Sequence, residues 1–141
     1  MALAALLLSA ASVSARGEES LALIVSASSP IARLELIEVR KMYLGFTVVR
    51  GGLSLRAFEN HSDERLHEVF LQNVVGMPDE AYQRRLLMST LQQGGQRPRV
   101  YTSTADLLNA IAADPSAVSV AWTKDVAGDH RVKVLRILWR E

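Results

Sequence analysis

The chain has 141 residues, sixteen of them basic and fifteen acidic, and no cysteine. That length suits one domain whose core stands without staples, and the missing cysteine excludes disulfides, thiolate metal sites and thiol nucleophiles. The near-neutral charge leaves no electrostatic footprint for nucleic acid.

The chain opens on MALAALLLSAASVSA, an apolar run from Ala2 to Leu8 followed by small residues ending in Val13-Ser14-Ala15. Small side chains at the last and third-last positions fit the signal-peptidase pocket. A signal peptide over residues 1–15, cleaved after Ala15, is therefore expected, with an exported, periplasmic domain over 16–141. The run is too short to span a bilayer as a helix.

Leu21 to Ala27 is a continuous apolar run ending at Ser28-Ser29-Pro30, which predicts a strand buried on both faces. In RLELIEVRKMYLG, Leu36, Val39 and Tyr43 share a helical stripe with Leu34 and Ile37 beside it, and Gly45 is placed to close that helix. After a Gly51-Gly52 turn, LSLRAFE alternates through Leu53, Leu55 and Ala57, which predicts a strand with one exposed face. A second helix starts at Asn60-His61-Ser62 and runs to about Val75 on Leu66, Val69, Phe70 and Val74. Pro78-Asp79 open a third, with Tyr82, Leu86, Leu87, Met88 and Leu91 as its inward face and Gly94-Gly95 as its stop. RPRVYTS is a short extended piece that Pro98 assigns to an edge. Ser103 and Asp106 start a fourth helix that buries Leu107, Leu108, Ile111 and Ala112. AVSVAW and VKVLRILW are the last strands, with Trp122 and Trp139 as core or rim aromatics. Alternating strands and helices predict an α/β fold: a single open, mostly parallel sheet with helices on both faces.

In such sheets ligands bind beyond the carboxyl ends of strands. Three polar corners qualify: Ser28-Ser29, Asn60-His61-Ser62 and Ser103-Thr104, the last preceded by Thr102. Brought to one edge, their hydroxyls and helix N-terminal amides would surround a small anion. Each also has a plain reading as a turn or N-cap. Asp63 and Glu64 bear on the choice, because first-turn acids already satisfy a helix N-terminus and repel a phosphate, unless Arg65 offsets them. The stretch reads as a self-satisfied helix start. His61 either donates to a ligand or decorates the turn.

His61 and His67 stand six apart, a spacing that does not stack them on a helix face. Without cysteine or a His-Glu-x-x-His pattern, no metal or other cofactor is expected. No G-x-S-x-G elbow is present, and His61 and Ser62 are sequence neighbours that need not face each other, so no enzyme activity is expected. Arg84, Arg85, Arg97 and Arg99 form either a patch for an acidic partner or a solvated face.

Four segments together resemble the phosphate-type substrate-binding proteins of bacterial ABC importers: LALIVSASSP, LELIEVRKMYLG, VFLQNVVGMPDEAYQRRL and RPRVYTSTADLLNAIAADPSAVSVAW. The resemblance runs from about Leu21 to Val134 and rests on order and spacing more than on any one motif. It implies one lobe of a type II periplasmic binding protein and capture of a small oxyanion such as phosphate, with Ser62 at the first position of the family's serine-glycine-threonine. Two departures stand out. Asp63 and Glu64 replace the glycine and threonine, and residues 16–141 are about half the length of a two-lobed binder. The expected function is a non-enzymatic, exported solute-binding-like protein. The alternative is a ligand-free interaction module for a membrane sensor, a transporter subunit or a second copy as a homodimer.

Overall fold

The computed structural model describes residues 19–141, so the signal peptide expected over 1–15 lies outside the described residues. Strand β1 (Ser20–Ser26) is buried along its whole length. Leu21, Leu23 and Val25 pack into the cluster on one face of the sheet, and Ala22 and Ile24 into the cluster on the other. A strand whose five inner positions, Leu21 to Val25, are all apolar belongs in the middle of a sheet covered on both sides, where each fully buried Leu, Ile or Val contributes about 1.5–3 kcal/mol.

Helix α1 (Leu36–Tyr43) starts with a capping box between Glu35 and Glu38. Gly45, at a φ of 89°, closes it in the left-handed region that glycine tolerates. Ile37 is exposed, because the helix buries the stripe of Val39, Met42 and Tyr43. LSLRAFE is not one strand. Val49–Arg50 (β2) and Leu53–Ser54 (β3) form a small hairpin across Gly51-Gly52, and β4 is a separate strand over Arg56–Asn60. Nor does β4 expose a face. Ala57, Phe58, Glu59 and Asn60 are all buried, the last two through hydrogen bonds that alternation of apolar residues does not reveal.

Helix α2 (Glu64–Phe70) continues without a break into a π-helical stretch over Leu71–Val75, which Gly76 ends in the left-handed region. Helix α3 (Asp79–Gln93) buries Tyr82, Leu86 and Ser89 and leaves Leu87, Met88 and Leu91 exposed, contrary to the expected inward face. The reason is close packing: a side chain on Gly45 would come within 3.2 Å of Ser89 Cβ, so this contact admits only small residues. Short β5 (Arg99–Tyr101), α4 (Thr104–Ala113), β6 (Ala117–Trp122), a one-turn α5 (Thr123–Val126) and the long β7 (Val132–Arg140) complete the chain. The sequence pattern did not reveal α5.

The five-stranded sheet has the order β5-β4-β6-β1-β7. Strands β4, β5 and β6 pair in parallel, β1 runs antiparallel to β6, and β7 antiparallel to β1. Four strands therefore point one way and β1 alone points the other, a mostly parallel open sheet. Helices α1 to α3 cover one face, and α4 and α5 the other. Among the described residues no helix is long and apolar enough to cross a membrane.

Candidate functional site

The direction of β1 decides which polar corners meet. The carboxyl ends of β4, β5 and β6 lie at one edge, and the parallel register sets Asn60 beside Tyr101, with the His61 amide donating to the Tyr101 carbonyl at 2.8 Å. Asn60-His61-Ser62 and Ser103-Thr104 therefore share this edge. Ser28 and Ser29 do not. They follow β1, whose carboxyl end reaches the start of β6, at the opposite edge. Their roles there are local: Ser28 Oγ lies 2.9 Å from Ser26 Oγ, and Ser29 Oγ accepts from the Ile31 amide at 3.2 Å.

At the shared edge most polar groups are already partnered within the chain. Buried Asn60 donates to the Val120 carbonyl at 3.0 Å, and its Oδ1 accepts from the Ser62 amide and hydroxyl at 3.0 and 2.6 Å. Ser62 is therefore not the helix cap. That position belongs to Asp63, whose Oδ1 accepts from the Arg65 amide at 2.9 Å. Its Oδ2 accepts from the Trp122 indole N–H at 2.7 Å. This indole bond, with the helix amides, holds the Asp63 carboxyl below the usual aspartate range. Arg65 does not offset this charge toward a ligand, since its guanidinium reaches Glu19 at 3.3 Å and Glu141 at 3.0 Å. Ser103 caps α4 by accepting from the Asp106 amide at 3.3 Å. A carboxylate of the chain itself thus sits where the first amides of α2 and an indole donor converge.

Beneath this edge lies a buried polar cluster. Glu59 is 2% exposed and lies between α3 and the loop entering α2. The Tyr82 hydroxyl is 2.8 Å from both the Tyr43 carbonyl oxygen and Glu59 Oε1, and Glu59 Oε2 is 2.7 Å from His61 Nε2. Burial, and next the Glu59 charge, push the Tyr82 phenol far above its ordinary value, so it stays a hydroxyl. The His61 and His67 rings touch, with centroids 4.3 Å apart and planes tilted by 49°, a contact that their spacing does not reveal. His61 lies in the loop before α2 rather than on it, so helical periodicity does not govern the pair. Among the described residues no group of three or more candidate ligands could hold a metal ion. The Ser62 hydroxyl donates to Asn60 and not to His61, so no serine–histidine pair forms there.

Of the residues at this edge, the sequence marks Asp63 as a first-turn acid that serves the helix start and opposes an anion, and Trp122 only as a core or rim aromatic. Their joint role depends on a contact 59 positions apart in sequence. Glu59 and Tyr82 carried no local signal beyond a charged residue in a strand and an aromatic on a helical stripe.

The fold has solved counterparts. The chain is similar to a putative phosphate ABC transporter substrate-binding protein with bound phosphate from Clostridium perfringens, at a TM-score of 0.64 and 14% identity, over 84% of this chain and 45% of that one. It is similar to a possible phosphate binding protein from Planctomyces limnophilus, at 0.59 and 12%, over 84% and 41%. An ABC-type phosphate transport receptor from Vibrio cholerae gives 0.53 and 16%, over 84% and 46%. No family model and no curated protein matches the sequence. The chain spans less than half the length of each structure named, and the likeness at these identities is one of fold.

Proposed function

We propose that the protein is an exported, non-enzymatic solute-binding-type protein, allied to the substrate-binding proteins of phosphate importers, in which Asp63 takes the place of a small oxyanion. The observation that carries this reading is the Asp63 carboxylate, bonded at 2.7 Å to the Trp122 indole and at 2.9 Å to the Arg65 amide. A phosphate at the same helix start would compete for those donors and meet a negative charge. Export rests on the leader over residues 1–15. With the seat filled from within, the fold serves as an interaction module, engaging a membrane sensor, a transporter subunit or a second copy.

Calorimetric titration with phosphate and sulfate tests this. The protein as it stands gives no heat at millimolar anion. A variant carrying Asp63→Gly and Glu64→Thr, which clears the seat, gives measurable binding. The likeness to a structure solved with phosphate favours a second reading, in which phosphate binds the same edge at Ser62, Ser103 and Thr104 with His61 at the rim, displacing Asp63. Saturable phosphate binding by the unaltered protein, abolished by Ser62→Ala, would establish the second reading over the first.

A further inference from the structure

Helix α3 buries Tyr82, Leu86 and Ser89 against the domain. At about 100° per residue, the opposite side of the helix carries Glu80, Arg84, Leu87, Met88 and Leu91 as one stripe. Its apolar members are all exposed, Leu91 at 73%. Apolar side chains exposed singly need no explanation, but three contiguous ones on a helical stripe form a patch.

The charges around the patch are divided by position. Two cations lie on its amino-terminal side. Arg84 is 3.9 Å from Glu80, an exposed pairing that contributes little. Arg97 folds back from the loop after α3 and donates to the Gln83 amide oxygen, one turn before Leu87. The carboxyl-terminal side has no cation of its own: the last turn, Thr90-Leu91-Gln92-Gln93, holds no basic residue. The Gly94 amide donates to the Thr90 carbonyl at 3.2 Å, and the later carbonyls have no partner within the helix. That end carries about half a negative charge. A second copy running antiparallel across the patch, related by a two-fold axis, matches both halves. With the axis at the level of Ser89, Leu87 meets Leu91 of the partner subunit. Arg84 and the Arg97 guanidinium then meet the carboxyl end of the other α3, and Glu80 meets the arginine-bearing loop that follows it.

We propose that α3 is a self-association surface, on which two copies of the chain pack antiparallel through Leu87, Met88 and Leu91. The contact is one helix face wide and buries well under the roughly 1,600 Å² of a standard interface. The dimer is therefore weak and concentration-dependent, with a Kd between about 10 µM and 1 mM. Naming a second copy as the partner deepens the interaction-module reading and rests on it for its role, while the contact itself does not involve the Asp63 seat.

The test is sedimentation velocity of the purified protein from about 5 µM to 1 mM, over which the weight-average mass rises from monomer toward dimer. Leu87→Glu and Leu91→Glu lie at exposed positions, so the variants keep the parent's circular dichroism; each raises the Kd at least about tenfold. Gln92→Lys sets a cation where the partner's arginines dock and raises the Kd about two- to fivefold, whereas Gln92→Glu lowers it. The chain has no cysteine, so a single introduced one reports the geometry. Met88→Cys lies near the axis and is cross-linked to its copy by a short bismaleimide. Glu80→Cys stands about 27 Å from its copy along the helices and is not. A protein still monomeric at about 1 mM overturns the proposal, as does a dimer indifferent to Leu91→Glu or one cross-linked at position 80 and not at 88. If the monomer instead cosediments with phosphatidylglycerol vesicles and Leu91→Glu releases it, the stripe is a lipid-binding face and the proposal falls. Asp63→Ala leaves the dimer Kd unchanged, so failure here is distinct from failure of the phosphate titration, which reads the seat alone.

Discussion

Replacing Asp63 with alanine perturbs two bonds at once, and both consequences can be worked from the structure. The first is loss of the N-cap to the Arg65 amide, typically about 1 kcal/mol. The second is an unpaired indole N–H on Trp122, a residue 1% exposed; a buried donor left unpaired costs about 1–3 kcal/mol. Together they predict a loss of about 3 kcal/mol at pH 7, or roughly 10 °C in thermal midpoint for a domain this size. The pH dependence has a definite sign. The folded carboxyl titrates below its unfolded value near 3.9, so its stabilisation is present above that pH and is lost as pH falls through the lower folded value. The gap between the unaltered protein and Asp63→Ala should therefore narrow on acidification from pH 5 to pH 2. Urea unfolding followed by far-ultraviolet circular dichroism at several pH values measures it. A variant within about 0.5 kcal/mol of the parent at pH 7, or a gap that does not change with pH, would refute the assignment of Asp63 as an internal anion.

Three further outcomes follow from the same contacts. Tyr82→Phe removes a hydroxyl within 2.8 Å of buried Glu59 and of the Tyr43 carbonyl, and should cost about 2 kcal/mol in urea unfolding. Tyr43 and Tyr82 are both held protonated by burial, so above about pH 10 the unfolded chain ionises where the folded one cannot. Stability should then fall by roughly 1.4 kcal/mol per pH unit for each of the two, a slope that Tyr82→Phe should halve. Gly45→Ala forces a side chain into a φ of 89° and within 3.2 Å of Ser89 Cβ, and should lower stability by about 1–3 kcal/mol, read by thermal melting.

The elements with strong local signals were legible in the sequence. β1 is apolar at most positions, and α4 has both a serine cap and an apolar stripe, so both were placed nearly to the residue. The errors fall where tertiary packing overrides pattern. On α3, Leu87, Met88 and Leu91 look more suited to a core than Ser89 does. Ser89 is buried because α1 and α3 approach closely at Gly45 and because its hydroxyl donates to the Leu44 carbonyl at 2.9 Å. No property of the isolated helix contains that information. Glu59 is a related case: alternation puts it on the same face as Leu55 and Ala57, but its charge argues against burial there, and only Tyr82 and His61 make it buriable.

For the candidate site, legibility turned on strand direction. Three serine-rich corners are equivalent in sequence, each a turn after a strand or a start of a helix. Only the antiparallel placement of β1 separates Ser28 and Ser29 from the other two, and a strand buried on both faces reads the same in either direction. The charge argument at Asp63 and Glu64 was, by contrast, available from local chemistry alone, since an acid in the first turn serves a helix N-terminus wherever the helix lies. What it lacked was the second donor. An N-cap carboxylate exposed to water would exchange its partner for a ligand at little cost. One also bonded to a buried indole gives up a second hydrogen bond on leaving, which an incoming anion has to replace in the right geometry. The Trp122 contact is therefore what turns an ordinary helix cap into an obstacle to anion capture.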